Sequence, residues 1–162
     1  MRSNVRLSAR LGQAQSTETD RHTNESDEMI EAFTKAWFAN LHTMREKFTA
    51  KHFDDYTEVV RAVIEMLASA SDDYDKPDPD RIHEIDDGYY QGTLVYVIGG
   101  SGYQPSRYWY VKVGYGSCSG CDTLQGIRGY SSDAPNDQQV SEYMTLALHI
   151  VQGLREMGDS ED

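Results

Sequence analysis

The sequence predicts an α+β domain: an N-terminal helical hairpin, an antiparallel sheet of about three strands, and a C-terminal helix. Three patterns carry that expectation. Ile30, Phe33, Trp37, Leu41, Met44 and Phe48 recur at spacings of 3, 4, 4, 3 and 4, a single apolar stripe along a helix. Between Arg107 and Tyr115 the side chains alternate, with Trp109, Val111, Val113 and Tyr115 on one side and Tyr108, Tyr110 and Lys112 on the other. Asn136 followed by Gln139 has the spacing of a capping box in front of a last periodic run.

Taken in order, residues 1–25 read as a flexible basic and polar tail, and residues 26–158 as the domain. The first helix is expected over about 27–47, capped by Ser26, with Asp27 and Glu28 at its positive end and Glu31 able to pair with Lys35. A second helix is expected over about 54–70, capped by Asp54 or Asp55, with Tyr56, Val59, Val60, Val63, Met66 and Leu67 facing inward. Residues 71–80 hold two prolines and five aspartates and read as an acidic exposed loop, without the ligand order of an EF-hand. Strands follow at 93–98 and 107–115, with a shorter one at Ile82–Asp86 before the Asp87-Gly88 turn. The last helix is expected over 137–157, with Gly158 as its stop. Phe33, Trp37, Leu41, Val63, Val95, Val111, Val113, Leu148 and Val151 are the expected core.

A length of 162 residues suits one domain. No run approaches the eighteen or so apolar residues of a membrane span, and no apolar signal core stands near Met1. Arg2, Arg6 and Arg10 in an acid-free opening resemble a transit peptide or a basic arm, and a disordered tail is the simpler reading. The net charge of −12 is uneven: residues 1–25 carry about +1 and the remainder about −13. Such a body repels phosphate and suits a basic partner or mimicry of DNA, so a protein partner is expected rather than direct nucleic-acid binding. Surplus acid that merely keeps a small protein soluble is the simpler reading of the charge. Two cysteines three apart make no secreted disulfide framework, and a reducing cytoplasm is the expected setting.

The segment Tyr115-Gly-Ser-Cys118-Ser-Gly-Cys121-Asp122 is the one motif with chemistry in it. Three readings stay open. Cys118 and Cys121 could form half a zinc site, completed by His83 and Asp122, by His149, His42 or His52, or by the same thiols of a second chain in a homodimer. They could be redox-active, although Asp122 opposes thiolate formation. Or they could be small side chains packed in a tight turn. Tyrosines crowd the same region, and core or sheet-surface packing is expected of them rather than base stacking. No phosphate loop, zinc-protease helix or nucleophile elbow occurs, so no catalytic residues are assigned.

Residues Ile85–Thr93 (IDDGYYQGT), Tyr103–Ser106 (YQPS) and above all Tyr115–Ile127 (YGSCSGCDTLQGI) resemble a family of small phage-encoded proteins, over about residues 85–127. The resemblance implies a viral or prophage origin and a host-cytoplasmic setting, and it implies no activity. The expectation is therefore a non-enzymatic accessory protein that binds a host or viral macromolecule. A small metalloprotein with a CxxC zinc or redox site is the first alternative, and a virion component the second.

Overall fold

The computed structural model describes residues 4–130 and 133–158, with side chains from residue 20 onward except residue 22. Its elements are α1 (Asn4–Ala39), α2 (Leu41–Ala50), α3 (Tyr56–Ser69), β1 (Pro77–Asp86), β2 (Gly92–Gly100), β3 (Tyr108–Tyr115), α4 (Thr123–Arg128), α5 (Asp137–Gly153) and β4 (Arg155–Glu156). The α+β class holds, with one four-stranded antiparallel sheet in the order β1-β2-β3-β4. No described helix is long and apolar enough to cross a membrane.

The helical stripe divides at Asn40. There the backbone turns to φ −116° and ψ 19°, and the Asn40 side chain donates to the Ala36 carbonyl at 2.8 Å. A side chain that bonds its own backbone competes with the helix, so the predicted single helix becomes two. The break rotates Leu41 to the surface, where it is 38% exposed, while Trp37, Met44 and Phe48 remain buried. At the other end the helix does not start at Ser26. It runs back to Asn4, through backbone expected to be a tail.

Helix α3 fits its prediction. Asp55 caps it by accepting from the Glu58 amide, and all six expected inward residues are buried. Strand β1 starts earlier than expected, taking in Pro77–Asp80 from the presumed acidic loop. Two prolines are tolerated because β1 lies at the sheet edge and its register with β2 shifts between Pro77 and Ile82. The rest of that loop is built around Asp75, whose carboxylate accepts from the amides of Gly102, Ser106 and Arg107 and from the Ser106 hydroxyl. Helix α5 has the full capping box at Asn136 and Gln139 but ends at Gly153, not near residue 157. Leu154 turns extended and Arg155-Glu156 pair with Tyr110 and Trp109 as β4.

The core lies between one face of the sheet and helices α3 and α5. Val63, Val111, Val113 and Val151 are buried as expected, and Phe33 and Leu148 pack partly buried against the cluster. Val95 is a correction: on β2 the inward residues are Leu94, Tyr96 and Ile98, so Val95 and Val97 face the other side. Phe48 and Tyr143 stack at 5.3 Å between ring centres, tying α2 to α5.

Candidate functional site

Strand β3 runs directly into the CxxC turn. The Cys121 and Asp122 amides both donate to the Cys118 carbonyl, at 3.0 and 2.8 Å, so the segment winds into a single tight coil. The Cys118 amide donates to Cys121 Sγ at 2.8 Å, and the same sulfur lies 3.2 Å from the Cys118 carbonyl oxygen. Both thiols are free and exposed. The hydrogen bond with the Cys118 side chain, and then the Cys118 amide, hold the Cys121 thiol below its ordinary pKa. Gly116 is required here, because a Cβ would collide with the Cys121 carbonyl group and lie 3.0 Å from its sulfur.

Asp122 is buried and acts as the knot of the turn. One carboxylate oxygen accepts from the Gln125 amide at 2.9 Å, capping α4, and from the Tyr56 hydroxyl of α3 at 3.2 Å. The other accepts from the Gly116 amide at 2.9 Å. The Tyr56 hydroxyl in turn accepts from the Leu124 amide, and burial pushes its pKa up to about 12. Asp122 thus stands beside Cys121 in sequence while its oxygens hold the backbone. His83 sits on β1, exposed and opposite Val97, away from the turn. His42 pairs with Glu46, and His52 with the Tyr143 hydroxyl. Among the described residues no group of three or more His, Cys, Asp or Glu side chains is placed to hold a metal ion.

Of the predicted candidates, His149 comes nearest in setting. It lines, with Cys121, Thr123, Gln138, Ser141, Glu142 and others, an open groove of about 810 Å³ between the turn and α5.

The second feature is the sheet face turned away from α3 and α5, and parity defines it. His83, Val97, Tyr110 and Arg155 form one row across all four strands, and Ile85, Val95 and Lys112 form the next. Arg81 lies over Gly99 beside Tyr108: a Cβ on Gly99 would sit 3.4 Å from Arg81 Cβ and 3.7 Å from the Tyr108 ring. Ile85 is 47% and Tyr108 42% exposed. Of the strand acids, Glu84, Asp86 and Glu156 take the opposite parity, while Asp78 at the irregular start of β1 reaches Arg81. Glu84 accepts from Thr57 and Tyr96, Asp86 accepts from Tyr115, and Glu156 holds Arg107 through two bonds. Arg81 pairs with Asp78, Arg155 caps the end of α5 through the Gln152 and Leu154 carbonyls, and Lys112 is exposed. The open face is thus apolar and aromatic with basic charge, on a chain of net charge −12. Sequence reading did not find it, although alternation along β3 had already put Tyr108, Tyr110 and Lys112 together. The crowded tyrosines divide: Tyr96 is buried, whereas Tyr89, Tyr90, Tyr103 and Tyr130 project from loops and correct the expectation of packing.

Comparison of the chain with protein-family models, curated proteins and solved structures finds no match.

Proposed function

We propose that this is a non-enzymatic accessory protein of phage origin whose open sheet face docks a host or viral protein. The sorting of charge by parity carries the reading. Glu84, Asp86 and Glu156 are turned away from one face, and Ile85, Val95, Val97, Tyr108 and Tyr110 are left there among Lys112, Arg155 and the Asp78-paired Arg81. Tyrosine and arginine around an apolar centre are the composition of a protein-binding surface. The complementary partner is an apolar patch with an acidic rim. A second copy is disfavoured, since like charges would meet. A nucleic acid would find few cations here, and a body of about −13 around them.

The test is capture from host lysate at low salt by the wild-type chain and by the double variant Tyr108→Ser/Lys112→Glu. A partner retained by the wild type and lost at least about tenfold by the variant supports docking on this face. Capture that is indifferent to the variant, or recovery of the chain alone, overturns it. Tight, steeply salt-dependent binding of a labelled single-stranded oligonucleotide would replace the protein partner with nucleic acid.

A further inference from the structure

We infer that Cys118 and Cys121 are a thiol–disulfide exchange pair, with Cys121 the attacking sulfur, Cys118 the resolving one, and a small disulfide such as oxidised glutathione as co-reactant. The inference is independent of the sheet-face docking.

Three observations place it. First, reach. The hydrogen bond from the Cys121 amide to the Cys118 carbonyl closes a turn of the kind that brings its end Cα atoms within about 7 Å, and disulfides span Cα separations of about 4.4–6.8 Å. Cys121 Sγ is already folded back over residue 118, touching both its amide and its carbonyl oxygen. Second, asymmetry. The Cys118 amide is aimed at the Cys121 sulfur, a donor placed where negative charge on that sulfur would need one, and the Ser117 hydroxyl stands 4.0 Å away on the same atom. Third, access. Both sulfurs are exposed, and Cys121 opens on the groove of about 810 Å³, within the size range of pockets that accept small ligands. Its polar lining of Thr123, Gln138, Ser141, Glu142, Thr145 and His149 suits a peptide-like thiol compound better than an apolar one.

The chemistry balances without a metal. The Cys121 thiolate attacks one sulfur of the small disulfide, forming a mixed disulfide and expelling one thiolate. Cys118 gives its proton to solvent and attacks the Cys121 sulfur, closing the Cys118–Cys121 bond and expelling the second. Two protein thiols are oxidised and one external disulfide is reduced to two thiols. Asp122, Gly116 and Tyr56 position the turn and take no part in the transfer.

The experiment incubates the full chain with excess oxidised glutathione and follows intact mass and free thiols. The expected wild-type product has lost two hydrogens and both thiols, without dimerisation. Cys118→Ser should stop at a stable glutathione adduct on Cys121, and Cys121→Ser should form its adduct on Cys118 at least about tenfold more slowly. Circular dichroism checks that both variants fold, and competitive alkylation of the two cysteines in the wild type gives the same ranking without any substitution. Thiols that stay reduced, a product that is only an intermolecular dimer, or equal adduct rates overturn the inference. So does elemental analysis that finds about one zinc per two chains with the thiols protected, which would make the turn a shared metal site.

Discussion

Asp122 joins three segments, two of them close by in sequence and one remote: the end of β3 through Gly116, the start of α4 through Gln125, and, far along the chain, α3 through Tyr56. Asp122→Ala removes a helix cap and leaves buried donors without acceptors, so chemical denaturation should show a loss of about 2–4 kcal/mol. Gly116→Ala should cost about 1–3 kcal/mol by overpacking against Cys121, read from the same curves. Asp75 carries a pH dependence. Partial desolvation raises its pKa, but the amides of Ser106, Gly102 and Arg107 and the Ser106 hydroxyl outweigh this and hold it below the ordinary value. Its contribution is complete above the ordinary aspartate range and is lost as pH falls through the depressed folded value. The stability difference between wild type and Asp75→Asn should therefore shrink on acidification, and a difference that grew would contradict the sign. The CxxC turn was legible at this scale because the motif is local. The role of Asp122 was not, since its partner Tyr56 lies 66 positions away.

Among the elements, those with a complete local signal formed as read. Helix α3 has its cap and its stripe, and the start of α5 has both halves of the capping box. Asn136→Ala should lower stability by about 1 kcal/mol, measured as a shift in the denaturation midpoint at unchanged slope. The misread boundaries have nonlocal causes. Pro77 and Pro79 argue against a strand only until β1 is known to be at an edge. The apolar run through Leu154 looks helical, yet Arg155 and Glu156 find a stronger offer of hydrogen bonds along β3. Val95 and Leu94 are equally good strand residues, and the sheet's packing against α3 and α5 decided between them. The open face depended on that same choice, so it was invisible until the register was known.

For the whole molecule, charge is the largest unbalanced quantity. A net charge of −12 repels itself at low ionic strength, when the screening length is tens of ångströms. Raising salt from about 0.01 to 0.15 M should stabilise the fold by about 1 kcal/mol, or about 2–4 °C in Tm by calorimetry. A fall in Tm would mean that surface pairs such as Lys47–Glu65, Arg128–Asp54 and Arg107–Glu156 outweigh the repulsion.

The two-residue strand β4 has a consequence for how the protein is made. It pairs with β3 across 45 positions, from Tyr110 to Arg155. At synthesis rates of about 5–20 residues per second, β3 emerges roughly 2–9 s before the strand that borders it. During that interval its outer edge is bare, with backbone donors and acceptors available to any neighbouring nascent chain. Even afterwards β4 pairs only with Trp109 and Tyr110, and the remainder of β3 carries Lys112, a charge of the kind that discourages edge-to-edge association. The same lysine that lies on the open sheet face is thus also placed to discourage pairing along this edge while the chain is being made.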